Sequence, residues 1–137
     1  LGFLAAFTWF TIVYHGQGYR SMIDRKFHLG LLPAMQYASG LTTGPICVTG
    51  KIDQPYIYAL FAEKPDPHSV AASLRYADVP GDIRTVQSVT RYTFGTRNCA
   101  AGEPQVYVLT ADEIPPQLGK RYDYRFFDQF VVYYLRQ

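Results

Sequence analysis

The most distinctive polar stretch of the chain runs over residues 48–67, with the sequence VTGKIDQPYIYALFAEKPDP. It lies where a buried strand is expected to lead into a helix, and open α/β sheets form their ligand clefts at such places. Four side chains that can form hydrogen bonds or stack come together there: Asp53, Gln54, Tyr56 and Tyr58. Polar groups beside aromatic rings suit a saccharide, which offers hydroxyls and an apolar ring face. These four residues are therefore the candidate ligand-binding site.

A purely structural interpretation of the same residues competes with this one. Asp53 is placed to cap a helix that begins at Pro55 or Tyr56, and a capping carboxylate would occupy the backbone N–H groups that a ligand would need. Tyr56 and Tyr58 would then only fill the core. The sequence leaves both interpretations open.

Other residues that perform chemistry in enzymes are poorly arranged here. Neither the histidines nor the cysteines have the spacing of a metal site, and nucleotide-binding glycine loops and a GxSxG motif are missing. We predict no metal, no cofactor and no catalytic residue. A small soluble enzyme remains a rival hypothesis, and its candidate residues are Cys99, Asp112, Glu113 and Asp123.

The composition indicates one folded domain. The chain has 137 residues, of which 48% are hydrophobic and 18% charged, so it is neither disordered nor fibrous. The net charge is only +2 and basic and acidic residues are interspersed, so we expect no nucleic-acid partner. The aromatic content of 16% suits half-buried sheets, sugar-facing surfaces and membrane interfaces alike.

Helical signals dominate the first half of the chain. Apolar residues recur at helical spacing over residues 23–38, where Gly30 and Pro33 would kink or divide the helix and Gly40 would end it. A short apolar run at residues 46–49 predicts a central, buried strand. Helices are then expected over residues 56–64 and, after the cap signal of Asp66 and Pro67, over residues 70–74.

Strand signals dominate the second half. Four segments are rich in β-branched and aromatic residues, namely 89–94, 106–110, 122–126 and 130–135. The last two are separated by a few turn-forming residues and predict a hairpin. The predicted fold class is α/β, with a helix-flanked mixed sheet whose parallel part comes first and whose antiparallel hairpin lies at the C-terminus. Residues 19–137 form a single soluble domain in this prediction.

The two cysteines, Cys47 and Cys99, are far apart in sequence. They would pair only outside the cytosol. Cys47 sits in an apolar run, where a buried free thiol is the more common case. The sequence favours a free thiol and does not decide whether the two residues pair.

The first residues of the chain indicate where in the cell the protein could lie. Residues 1–14 carry no charge, but the run is shorter than the roughly 20 residues of a complete membrane span. Trp9, Tyr14 and Tyr19 fit an aromatic belt at a membrane surface. On these features alone, the segment could be the end of a membrane span. A buried first helix or strand of a soluble domain is the alternative.

The order of these segments resembles the C-terminal soluble region of bacterial polytopic glycosyltransferases in the dolichyl-phosphate-mannose protein mannosyltransferase superfamily. In that family a last hydrophobic span leads through spaced aromatics into a helix, a strand and a DQPYIYxLF segment. The matching parts here are Phe10, Tyr14 and Tyr19, the stretch FHLGL at 27–31 with its continuation to Ala38, Val48 and Thr49, DQPYIYALF at 53–61, and Asp66 with Pro67. Looser matches are Phe94, Gly95, Cys99 and residues 106–108.

The resemblance implies a function. Family members transfer a sugar from a polyprenyl-phosphate carrier at the outer face of the bacterial cell membrane, and their catalytic carboxylate lies in an early loop that has no counterpart here. Residues 1–18 would be the end of the last membrane span, and the rest of the chain would be a non-catalytic accessory domain on the periplasmic or extracellular face. Its partners would be the membrane-embedded part of the same polypeptide and a glycan or lipid-linked sugar. The alternative is a free-standing extracytoplasmic module that binds a glycan or another small ligand.

Overall fold

The computed structural model describes residues 2–77, 85–99, 104–115 and 122–136. Within these ranges the helices are α1 (Gly2–His15), α2 (Gln17–Lys26), α3 (Leu31–Leu41), α4 (Tyr56–Glu63), α5 (Pro67–Ser73) and α6 (Thr96–Cys99). The strands are β1 (Ile46–Val48), β2 (Arg75–Tyr76), β3 (Val86–Val89), β4 (Tyr92–Phe94), β5 (Val106–Thr110), β6 (Tyr122–Phe127) and β7 (Phe130–Leu135).

The strands form one mixed sheet in the order β2-β3-β4-β1-β5-β7-β6. Strand β1 is central and pairs in parallel with β4 and β5, so that Val48 lies between Phe94 and Val108. The remaining pairs are antiparallel, and β6 and β7 form the C-terminal hairpin. The predicted α/β class and its mixed sheet are confirmed, as are the central strand and the hairpin.

The two faces of the sheet carry separate clusters of buried side chains. Because side chains alternate along a strand, Ile46 and Val48 point to one face and Cys47 to the other. The first face packs against α3 and α4. On the second face, Cys47 lies with Cys99, Tyr107 and Leu109. Helices α4 and α6 therefore cover opposite faces of the sheet.

The helical pattern predicted over residues 23–38 is divided into α2 and α3. Between them His28 has a positive φ of 51°. The predicted division is therefore confirmed at Gly30, the N-cap of α3, but Pro33 lies within α3 and does not divide it. Gly40 does not end the helix, because it also lies within α3, which continues to Leu41. Thr42, in extended conformation, is the first residue after α3 and takes over that role.

Helix α4 begins without the cap that the sequence suggested. Its N-cap position is Pro55, with no side-chain cap hydrogen bond, so the predicted capping role of Asp53 is wrong. The chain reaches Pro55 through Gln54, which has a φ of 51°. At α5 the predicted cap is confirmed, because the Ser69 N–H donates to Asp66 Oδ2 at 3.1 Å. The helix itself begins at Pro67, three residues before the predicted start.

The single strand predicted over residues 89–94 is instead the end of β3, a turn and β4. Thr90, with a φ of 49°, and Arg91 form the turn. Neither residue type is a usual turn former, which is why the sequence did not reveal it. The guanidinium of Arg91 donates to the Glu63 carboxylate and to the carbonyl oxygens of Ser39 and Thr42. This cluster joins the turn to α3 and α4.

A disulfide joins Cys47 in β1 to Cys99 in α6, with their Cα atoms 5.7 Å apart. The free thiol that the sequence favoured at Cys47 is therefore wrong. The parallel pairing of β1 with β4 explains the difference. It brings α6, which begins two residues after β4, directly under Cys47. The bridge crosses a sequence separation of 52 residues.

Helix α1 is apolar on all sides, and none of its described residues is buried. Phe3 is 79% exposed and Trp9 70%. The helix meets α2 through Tyr14, whose ring lies 4.8 Å from that of Tyr19. Within the described residues, no helix has both the length and the apolar character needed to cross a membrane. Leu1 lies outside the described residues.

We expect Gly30→Ala to destabilise the domain by about 2 kcal/mol, because overpacking a tight contact typically costs 1–3 kcal/mol. An added Cβ would meet the carbonyl oxygen of Phe127 and would lie 2.9 Å from the Cβ of Asp128. Gly40→Ala is the matched control, since nothing lies within 4 Å of a Cβ there. It should stabilise α3 by about 0.5–1 kcal/mol. Urea unfolding of both variants checks this, and equal stabilities would contradict it.

Candidate functional site

A cleft opens at the carboxyl ends of β1 and β4. The chain leaves β1 toward α4 on one face of the sheet and leaves β4 toward α6 on the other face. Loops that diverge in this way from adjacent parallel strands create a crevice, which is the usual ligand position in open α/β sheets. The fold itself therefore produces this cleft.

The cleft has a volume of about 890 Å³. Its walls are the loop at residues 50–55, the loop and helix start at residues 94–98, and the beginning of β3. Three buried apolar side chains contribute to the lining: Ile52, Val86 and Phe94. Ligand pockets typically measure 300–1,000 Å³, so the space is large enough for a small molecule of one or two rings.

Two glycines let the walls meet at the base of the cleft. A Cβ on Gly50 would lie 3.0 Å from the Cα of Gly95. Gly95 has a φ of +87° and its N–H donates to the Val48 carbonyl at 2.8 Å. A side chain at Gly50 would push the loops apart, and a side chain at Gly95 would be strained at this φ and would meet Asn98 Nδ2. This contact fixes the spacing of the two walls.

The acidic loop after β5 closes one side of the cleft. Lys51 Nζ donates to Asp112 Oδ2 at 2.6 Å, and this ammonium group lowers the pKa of Asp112 to about 2. The ion pair also raises the pKa of Lys51. Glu113 is held by Thr110, whose hydroxyl donates to Glu113 Oε2 at 2.7 Å. Both acids are thus engaged with neighbouring groups.

Several polar side chains of the cleft have no partner among the described residues. No hydrogen bond or ion pair to a described residue engages the side chains of Asp53, Gln54, Gln87 or Thr96. Asn98 differs, because its Nδ2 donates to the Phe94 carbonyl at 2.7 Å, which leaves its Oδ1 as an acceptor. The cleft lining therefore offers hydrogen-bond donors and acceptors that no described residue engages. Beside them lies the Asn98 amide, which its hydrogen bond to the Phe94 carbonyl holds in place.

The four residues predicted to bind a ligand fall into two groups. Asp53 and Gln54 line the cleft. Tyr56 and Tyr58 are half-buried on α4 and pack against the core, away from the cleft lining. The Tyr58 hydroxyl donates to the Phe27 carbonyl at 3.1 Å, which ties α4 to the end of α2. The structure brings only the first pair to the cleft.

Sequence reasoning missed Gln87, Thr96 and Asn98. Each lies in a different segment from Asp53, and only the pairing of β1 with β4 and of β4 with β3 brings them together. One signal was available. Gly95 directly follows a strand, and a glycine there often marks a close backbone approach.

The residues of the rival enzyme hypothesis are not assembled into a site. Cys99 is in the disulfide, and the described residues include no free cysteine. Asp123 lies on β6, where Arg136 donates to it and lowers its pKa. Within the described ranges, no group of three or more His, Cys, Asp or Glu residues could hold a metal ion.

Comparisons with protein-family models, with curated proteins and with solved structures found no match to this chain.

Proposed function

We propose that this chain is a non-catalytic extracytoplasmic domain of a bacterial membrane glycosyltransferase, held close to the bilayer by its first helix. The parent enzyme would transfer a sugar from a polyprenyl-phosphate carrier. The domain would serve the reaction by positioning a glycan or covering the mouth of the active site. The observation that carries this proposal is helix α1.

Helix α1 is unusual for an element of a soluble domain. It presents apolar and aromatic side chains on every side, and its large apolar residues are 46–79% exposed. Soluble proteins rarely leave such a large contiguous apolar surface in water, and a patch of this kind marks a membrane or protein contact. If α1 were the end of a membrane span, the lipid would surround these apolar side chains. In this proposal residues 1–18 are the end of the last membrane span.

The disulfide supports the extracytoplasmic side. Bridges such as Cys47–Cys99 persist in oxidising compartments and are rare in the bacterial cytosol. Both sulfur-bearing residues are buried in the core, which is typical of a structural bridge rather than a redox-active one. A domain on the periplasmic or extracellular face fits this chemistry.

The transferase assignment rests on the resemblance of the segments at residues 10–67 to the mannosyltransferase superfamily. The membrane-embedded part of the same polypeptide would supply the catalytic carboxylate. It would also supply the site for the lipid carrier.

A paired transfer assay tests the proposal. Membranes that contain the product of the complete reading frame, and the 137-residue chain alone, are each incubated with labelled polyprenyl-phosphate mannose and polyprenyl-phosphate glucose. We expect transfer of label by the complete product and none by the chain alone. Turnover by the isolated chain would contradict the accessory role. A complete reading frame without membrane spans upstream of the domain would exclude the transferase.

A second candidate function is a free-standing extracytoplasmic binding module. The cleft at the ends of β1 and β4 favours it, because the cleft is formed by this chain alone. A signal peptide directly before residue 1 in the reading frame would select this candidate, whereas about ten hydrophobic spans would select the transferase.

A further inference from the structure

We infer that the cleft at the ends of β1 and β4 binds an uncharged polyhydroxylated ligand, one or two sugar rings in size, rather than the phosphate-bearing carrier. This inference deepens the proposed function, on which it rests for its biological context, by assigning a ligand class to the domain. It is carried by the chemistry of the cleft lining.

The charges in the cleft offer no site for a phosphate. The lining contains two cations, Lys51 and Arg97, and two carboxylates, Asp53 and Glu113. Lys51 is moreover paired with Asp112 at 2.6 Å. Phosphate groups are held by cations in excess over acids, commonly by several arginine or lysine donors. A balanced lining with one cation already paired lacks that excess.

The uncharged polar groups match sugar hydroxyls. A hydroxyl both donates and accepts hydrogen bonds, and side-chain amides and hydroxyls do the same. The lining supplies such groups from five residues: Gln54, Thr85, Gln87, Thr96 and Asn98. Gln54, Gln87 and Thr96 form no side-chain hydrogen bond to the described residues, so their donors and acceptors are open to a ligand.

The apolar part of the lining suits a ring face. Ile52, Val86 and Phe94 line the cleft and are 4–7% exposed. C–H groups of a pyranose can contact the small part of these side chains that reaches the cleft, while its hydroxyls reach the surrounding amides. The Gly50 and Gly95 contact holds the two walls at a fixed distance, so a ligand would enter a preformed site.

An NMR titration of the 137-residue chain tests this inference. The probes are four neutral disaccharides (maltose, cellobiose, mannobiose and chitobiose), one charged sugar, mannose 1-phosphate, and mannose as its uncharged reference. We expect saturable shifts of the backbone amides of Gly50, Gly95 and Asn98 with at least one neutral disaccharide. Mannose 1-phosphate should bind no better than mannose. Stronger binding of the phosphate, or saturable shifts with none of the four disaccharides, would overturn the inference.

A pair of variants distinguishes disaccharide binding in the cleft from binding elsewhere on the surface. Gln54→Ala combined with Gln87→Ala should weaken disaccharide binding roughly tenfold, since two neutral hydrogen bonds are lost. Gln36→Ala is the control, because Gln36 is an exposed residue of α3 outside the cleft. Equal weakening by both variants, or no weakening by the first, would contradict the assignment.

The two proposals fail separately. If a disaccharide binds in the cleft but the complete product transfers no sugar, the transferase proposal is wrong and the proposed ligand class is retained. Transfer by the complete product without saturable disaccharide shifts removes only the ligand class.

Discussion

Removal of the Cys47–Cys99 disulfide should lower the free energy of unfolding by about 4 kcal/mol. The bridge closes a loop over a sequence separation of 52 residues, and the chain-entropy relation gives about this value for such a loop. The bridge also fastens α6 to the central strand of the sheet. Domains of this size are stable by only about 5–15 kcal/mol, so the loss removes a large share of the total.

Urea unfolding of the oxidised chain and of the Cys47→Ala and Cys99→Ala double variant measures this effect. The control is a reducing agent, which should destabilise the natural chain and leave the double variant unchanged. A natural chain whose midpoint does not move on reduction would show that the bridge adds no stability.

Arg91→Met should cost about 3 kcal/mol, near the lower end of the range for breaking a buried ion pair. The Arg91 and Glu63 side chains are 22% and 19% exposed, so they are only partly screened by water. Loss of the guanidinium leaves the Glu63 carboxylate without its cation and the carbonyl oxygens of Ser39 and Thr42 without their donor. This one change would weaken the contacts that join the turn between β3 and β4 to α3 and α4.

A double-mutant cycle with Glu63→Gln isolates the ion pair from the other contacts of Arg91. Arg20→Met is the control. Arg20 is exposed on α2 and has no side-chain partner among the described residues, so we expect a change within about 0.5 kcal/mol. A loss at Arg91 no larger than that at Arg20 would show that the cluster does not stabilise the domain.

Strands with strong local signals were predicted to within a residue. Strand β7 was predicted and observed at Phe130–Leu135, because its β-branched and aromatic residues directly follow a turn in which Asp128 has a φ of 55°. The turn between β3 and β4 was missed because Thr90 and Arg91 carry no such signal. There the sheet imposes a positive φ on a residue that does not favour it.

The cleft could be located from sequence only in part. The loop after β1 was recognised, and with it Asp53 and Gln54. Gln87 and Asn98 could not be assigned, because strand order decides which loops become neighbours, and local patterns do not contain strand order. The same limit explains the disulfide: nothing near Cys47 in sequence specifies what lies beneath it in the sheet.

The central position of β1 has a consequence for how the chain reaches its native state. This strand comes before both of its partners in the chain. Neither of its edges can therefore form its native pairing until the residues of β4 and β5 have been synthesised. Contacts between segments so distant in sequence raise the contact order, and chains of high contact order fold slowly. Meanwhile the apolar residues of β1 stay exposed, with both edges open to misassembly. The central strand of the sheet therefore stays without native partners until segments much later in the chain are available.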